Sequence, residues 1–314
     1  MVQLNQTFVR GVIRQALLQC LPDAELGANK LSPLTETLLD SPHAKAVKEE
    51  IVAVGRKLWA RQYVDGNGGN ISYRISNDLV LCTPTLCSKG DLTIDDLCLV
   101  NLANQKIFGS QAHTSEILLH LEIYKAVPSA RAVVHCHPPH ATAYAIVGMV
   151  PPGLTVPEQE VFIGPVALAP YETPGTKTFA ETVLPYVQTH NTILLANHGV
   201  VCWADTVTHA EWWVEIVDAY CRTLILAAQL GAPIQKIPPD KIAELLQIKK
   251  KLGLPDARLE NVSQVGTVSR AGAKESTAAV LPHQRRDYLQ DEAFESLVTS
   301  ITDQVLSFVT KTKE

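Results

Sequence analysis

The sequence predicts an α/β core over roughly residues 44–231, carried between helical extensions. Short β-rich runs alternate there with stretches of helical spacing, and the longest helical pattern, 206–230, closes the run. Past Gly231 the composition shifts toward charge, Gly, Ser and Ala. The chain has 314 residues, 46% of them hydrophobic, which is enough for a substantial core and too apolar for a disordered protein. That length suits one large domain plus extensions, or two small ones.

An amphipathic helix is expected over 8–21, followed by a Pro-, Gly- and Ser-containing link to about Pro42. Val47, Ile51, Val54 and Leu58 fall at helical spacing and predict a helix over 44–61. Gly66-Asn67-Gly68-Gly69-Asn70 breaks it. Strands are expected over 71–75, 79–83 and 98–102, then a helix over 115–126 capped by Thr114 or Ser115. A β-rich run over 132–137, a helix over 140–147, two short strands within 155–170 and a helix over 178–187 follow. An apolar strand over 192–196 ends at Asn197-His198-Gly199. The organisation that results is a helical extension over 1–43, the core over 44–231, a helix within 232–253, a flexible linker over 254–286 and a C-terminal amphipathic helix within 287–314. In that last helix Phe294, Leu297, Val298, Ile301, Val305, Leu306 and Val309 share one face.

The chemistry concentrates in three histidines. In His135-Cys136-His137 the outer residues project to one face of a strand, so both imidazoles can reach one ion at the ~2.0–2.1 Å of a Zn–N bond. Cys136 points the other way and is excluded. If the strands over 132–137 and 192–196 are neighbours, His198 brings a third imidazole from the side. Three nitrogens with an open position suit catalytic zinc. The competing reading of any single histidine is a packing or surface residue, and His113, His120 and His140 have no comparable spacing.

Seven motifs then appear in order: Gly68-Gly69-Asn70-Ile71-Ser72, Thr83-Pro84-Thr85, Thr114-Ser115-Glu116, Val134-His135-Cys136-His137, Pro170-Tyr171, Thr173-Pro174-Gly175-Thr176 and Asn197-His198-Gly199. In these the chain resembles the class II aldolase/adducin family, best known for L-fuculose-1-phosphate and L-rhamnulose-1-phosphate aldolases and L-ribulose-5-phosphate 4-epimerases. The resemblance implies a three-layer α/β/α fold with a central, mostly antiparallel sheet. It also implies one Zn²⁺ per subunit and a homotetramer with active sites at subunit interfaces. Glu116 matches the family's catalytic glutamate, which ligates the metal when substrate is absent; the plainer alternative is a carboxylate favoured by a helix N-terminus. Gly69, Asn70, Thr85, Thr114 and Ser115 match the family's phosphate-binding positions.

Two departures from the family bear on the substrate. Where fuculose-phosphate aldolases have a glycine after the threonine matching Thr85, this chain has Leu86, and Lys89 is a candidate to supply charge to the phosphate instead. The tyrosine those aldolases contribute from a neighbouring subunit is missing from Leu154-Thr155-Val156-Pro157-Glu158-Gln159-Glu160. Glu158 or Glu160 is a candidate replacement; each could equally be a solvated loop charge. The activity implied is metal-dependent cleavage of a ketose 1-phosphate (L-fuculose- or L-rhamnulose-1-phosphate) to dihydroxyacetone phosphate and lactaldehyde. An epimerase, decarboxylase or dehydratase on the same scaffold is the alternative. A non-catalytic adducin-like protein is disfavoured, because such members lack the metal ligands.

Composition excludes other classes. A formal charge of −5 with no long basic block argues against nucleic acid, and no apolar stretch is long enough to span a bilayer. The N-terminus lacks an uninterrupted signal-peptide core, and the seven scattered cysteines read as reduced thiols of a cytoplasmic protein. The linker followed by an amphipathic helix resembles the encapsulation peptides that carry enzymes into bacterial microcompartments, where a shell would be the partner. The alternative is a helix docked on its own tetramer.

Overall fold

The structure, a computed structural model, describes residues 31–259. The helices expected over 8–21 and 287–314, and the linker beyond Leu259, lie outside the described residues.

Eight strands form one sheet: β1 (Asn70–Arg74), β2 (Leu79–Cys82), β3 (Cys98–Asn101), β4 (Lys106–Phe108), β5 (Ala132–Cys136), β6 (Ala167–Ala169), β7 (Thr192–Leu195) and β8 (Gly199–Ala204). Their spatial order is β4-β3-β2-β1-β5-β8-β7-β6, antiparallel throughout except for β6 beside β7. The α/β class and the mostly antiparallel sheet are as the sequence predicts.

Helices cover both faces. On one side, α1 (Pro33–Leu39), α2 (Pro42–Ala60), α4 (Pro139–Ile146) and α6 (Val207–Gln229) share a core with Ile71, Val134, Cys136, Val200 and Cys202. On the other, α3 (Ile117–Ala126) and α5 (Lys177–Glu181) pack with Val80, Val133, Ile193 and Val201. A last helix, α7 (Pro239–Lys251), follows α6. Helix α2 shows how the sequence builds these layers. Ser41 Oγ accepts from the Ala44 amide at 3.1 Å, and Pro42 fills a first-turn position that needs no donor. Val47, Ile51, Val54 and Leu58 then bury one stripe, each contributing about 1.5–3 kcal/mol of transfer free energy.

Several elements differ from expectation, each for a local reason. Of the two strands expected within 155–170, only β6 forms. The β-branched run before it closes instead into a π-helical turn, Gln159–Ile163, because Gly164 at φ 75° lets its amide reach back to the Gln159 carbonyl at 2.7 Å. Helix α5 stops short of the expected 178–187 and gives way to turns before Pro185, which has no amide to donate. Residues 254–259, expected to belong to a linker, pack against the rest of the fold. Leu254 packs on the core, and Arg258 Nη1 sits 2.8 Å from the buried Glu160 Oε2 while Lys249 Nζ lies 3.2 Å from buried Asp256. The described cysteines are all free, as expected.

Candidate metal centre

The site lies where β5 ends. His135 shares the face of Val133, toward the α3 layer, and Cys136 packs into the opposite core, as strand alternation requires. His135 Nδ1 is 2.9 Å from the Val200 carbonyl, which can only accept, so Nδ1 carries the proton and Nε2 keeps its lone pair. His137 Nε2 comes within 3.2 Å of that nitrogen. Ring centroids are 5.0 Å apart for His135–His137, 4.7 Å for His135–His198 and 5.0 Å for His137–His198. One ligand atom from each ring lies within 4.8 Å of the others. Burial keeps all three rings neutral: it holds His135 well below the ordinary histidine range, lowers His137 and brings His198 down to about 4. Neutral imidazole is the form that binds metal.

The sequence makes the third imidazole conditional on the strands over 132–137 and 192–196 being neighbours, and they are not, although His198 still arrives. β8 lies between β5 and β7, and His198 occupies the tight turn joining β7 to β8. Cys136 pairs with Val200, so this turn is delivered directly beside His137. Close approach depends on Gly199: a Cβ there would lie 2.5 Å from the Cys136 carbonyl oxygen and 2.7 Å from His137 Cδ2. Gly199→Ala is therefore expected to push His137 out of line and weaken metal binding about 10–100-fold, as disturbing a ligand's support does, while the fold is retained. Metal titration of the variant checks this, and unchanged affinity contradicts it.

Glu116 completes the cluster. Of the expected caps, Thr114 Oγ1 accepts from the Glu116 amide at 3.4 Å, and α3 begins at Ile117 with Glu116 at its N-cap position making no capping bond. That later start frees the carboxyl group. Its Oε2 lies 3.4 Å from His135 Nε2 and its Oε1 3.9 Å from His198 Nε2. Burial pushes its pKa up to about 7, and Oε2 is buried with no hydrogen-bond partner among the described residues. An unpartnered carboxyl oxygen beside three neutral imidazoles is the donor set of a divalent cation, so the residues fit one.

Of the residues expected at a phosphate, Asn70 adjoins this cluster directly. Asn70 is the cross-strand partner of His135, so the two share one face of the sheet. Gly69 must be glycine: at φ 69° an added Cβ would lie 2.4 Å from Val64 Cγ1. Residues 83–85 pair with 112–114 through the Thr114 amide to the Thr83 carbonyl (3.1 Å) and the Thr85 amide to the Ala112 carbonyl (2.9 Å). That pairing sets Thr83 against Thr114 and Thr85 against Ala112. Leu86 stands at φ 52° and is 81% exposed, so a branched side chain occupies the left-handed backbone that a glycine takes without strain.

Three expectations at the periphery change. Lys89 is buried, and its Nζ donates to the carbonyls of Cys87 (2.7 Å) and Asn67 (3.2 Å). It braces the Gly66–Asn70 turn where the sequence reading had it charging a phosphate. Glu160 is neither a solvated charge nor a free acid, because Oε1 accepts from the Leu154 amide and Oε2 pairs with Arg258. Glu158 is exposed just before the π-helical turn. His120, set aside on spacing, is fully buried against Asn70; its place four residues after Glu116 on a helix was the available signal.

The sequence pattern of the Class II Aldolase and Adducin N-terminal domain matches residues 49–225, which hold every residue of this cluster. The chain belongs to the class II aldolase and adducin family. L-fuculose phosphate aldolase of Methanococcus maripaludis is 36% identical over 169 residues, 54% of this chain and 91% of that protein. 5-deoxy-D-ribulose 1-phosphate aldolase of Bacillus thuringiensis is 31% identical over 63% of this chain and 92% of its own length. 3-oxo-tetronate 4-phosphate decarboxylase of Haemophilus influenzae is 33% identical, covering 50% and 76% respectively. Among solved structures, an L-fuculose 1-phosphate aldolase superposes with a TM-score of 0.60 at 26% identity, over 67% of this chain and 97% of that one. The class II aldolase core thus accounts for β1 through α6, and α7 falls beyond the matched pattern.

Proposed function

We propose that this class II aldolase family member is a zinc-dependent enzyme that cleaves a ketose 1-phosphate, L-fuculose- or L-rhamnulose-1-phosphate, to dihydroxyacetone phosphate and lactaldehyde. The observation that carries the reading is Glu116, desolvated and unpartnered, beside three neutral imidazoles. Breaking the C3–C4 bond leaves electron density on the dihydroxyacetone phosphate fragment. His135, His137 and His198 would hold a divalent ion, which would supply Lewis acidity for that density. Glu116, a desolvated carboxyl with no hydrogen-bond partner among the described residues on one oxygen, is the group for proton transfer at the new carbon centre once substrate displaces it from the ion. Gly69, Asn70, Thr85, Thr114 and Ser115 receive the phosphate with amides and hydroxyls.

The exposed run Ile146, Val147, Met149 and Val150, at the C-terminal end of α4, supports assembly into a homotetramer that covers this apolar surface. With Glu160 committed to Arg258, the base for the C4 hydroxyl has no candidate of its own in the segment 154–160 except exposed Glu158. That favours decarboxylation of a 3-oxo acid phosphate as the second reading, since it needs no such base. Incubating metal-loaded protein with fuculose-, rhamnulose- and ribulose-phosphates and with a 3-oxo-tetronate 4-phosphate separates the two: dihydroxyacetone phosphate release supports the aldolase, and carbon dioxide release alone overturns it.

Proton counting gives an independent check. At pH 6 Glu116, raised to about 7, still holds its proton in the metal-free protein, whereas desolvation lowers all three rings toward the neutral form. Zinc uptake at that pH is expected to release about one proton, from Glu116 as it becomes a ligand. Calorimetry in two buffers of different ionisation enthalpy measures it, and release near three contradicts the neutral-ring assignment.

A further inference from the structure

Strand β1 and helix α3 face each other through a buried polar chain that the proposed chemistry leaves unused. Asn70, Ser72 and Arg74 alternate onto one face of β1, and Glu116, His120 and Tyr124 recur every four residues on one face of α3. His120 Nε2 lies 2.5 Å from Asn70 Oδ1, His120 Nδ1 2.6 Å from Ser72 Oγ, and Ser72 Oγ 2.8 Å from Tyr124 Oη. Ser72, His120 and Tyr124 are all at most 1% exposed, and Asn70 is 3% exposed. The Arg74 guanidinium sits 5.5 Å from the centre of the Tyr124 ring and donates to the Tyr124 carbonyl, holding the far end.

We propose that His120 is a positioning residue, which through this chain turns the Asn70 side-chain amide nitrogen toward the substrate phosphate. The inference rests on the reading of Asn70 as a phosphate ligand.

Hydrogen counting fixes the direction. Asn70 Oδ1 can only accept, so His120 Nε2 carries the ring's proton. Burial keeps the ring neutral by lowering its pKa to about 3, so Nδ1 is bare and accepts from Ser72. The Ser72 hydroxyl, having donated, accepts from Tyr124. Every hydrogen therefore points toward Asn70. The reverse arrangement would make Tyr124 Oη an acceptor and leave its own hydrogen without a partner among the described residues, in a fully buried place where that is costly. The tyrosine at the closed end thus sets the orientation of the amide at the open end. Held by its carbonyl, Asn70 has an NH₂ that makes no hydrogen bond among the described residues, beside its cross-strand partner His135.

The test uses the full zinc-loaded protein and inorganic phosphate as the probe. Asn70→Ala and His120→Phe are each expected to weaken phosphate binding about tenfold, the worth of one well-placed bond to a charged group. The double variant should be no weaker than either alone, and zinc stoichiometry should be unchanged in all three. His120→Gln, which keeps a donor for Asn70, should restore most of the affinity. ¹⁵N spectroscopy of the unmodified protein should show His120 as the neutral Nε2–H tautomer throughout about pH 5 to 8. This last measurement and His120→Gln carry the test if His120→Phe does not fold. Additive losses, or the Nδ1–H tautomer, overturn the inference. Normal affinity in His120→Phe beside a weakened Asn70→Ala overturns it alone. Normal affinity in Asn70→Ala overturns the phosphate reading as well.

Discussion

His135→Ala is expected to abolish bound zinc and aldol cleavage together. The residue is fully buried, its Nδ1 is fixed by Val200, and its Nε2 faces both His137 and Glu116. Alanine removes a ligand outright and leaves two imidazoles. The expected loss of affinity therefore exceeds the roughly 10–100-fold that follows from disturbing a supporting residue. Elemental analysis after dialysis, with dihydroxyacetone phosphate release measured on the same sample, checks both halves. The substitution leaves the Val200 carbonyl without its donor, so a modest fall in melting temperature is expected alongside. Retention of stoichiometric metal by this variant would refute the three-histidine assignment.

Glu116→Gln separates the metal from the proton. The amide has the carboxyl's shape but cannot exchange a proton, so zinc stays and the rate falls by about 10²–10⁴-fold, the usual worth of a positioned acid or base. Burial alone raises the Glu116 carboxyl to about 7. The substitution should accordingly remove whichever limb of the rate–pH profile this group produces in the zinc-loaded enzyme. Near-normal turnover takes Glu116 out of the chemistry.

Much of this was legible in the sequence because it rests on short-range periodicity. Strand alternation alone separated His135 and His137 from Cys136, and the structure places Cys136 in the opposite core. The identity of β8 was not read, although Val200, Val201 and Trp203 form an apolar run; a strand entered directly from a catalytic turn has no polar boundary to announce it. The missed strand changed how His198 arrives, but not that it arrives. The periphery was illegible for a different reason. Whether Lys89 and Glu160 face a ligand or the backbone depends on partners far along the chain or on loop carbonyls, Arg258 in one case and the Asn67 and Cys87 carbonyls in the other. Ion pairs between residues 98 positions apart carry no periodic signal. His120 lacks metal-ligand spacing because both its ring nitrogens are engaged by Asn70 and Ser72, yet its partner Asn70 lies across the sheet from His135.

The most direct test of the central claim is dihydroxyacetone phosphate formation from L-fuculose 1-phosphate and L-rhamnulose 1-phosphate. It should be measured on one preparation before chelation, after chelation and after zinc is restored. The account predicts release from at least one of the two, lost on chelation and recovered with zinc. Release that survives complete removal of the metal, or no release from either substrate by the zinc-loaded protein, would contradict it.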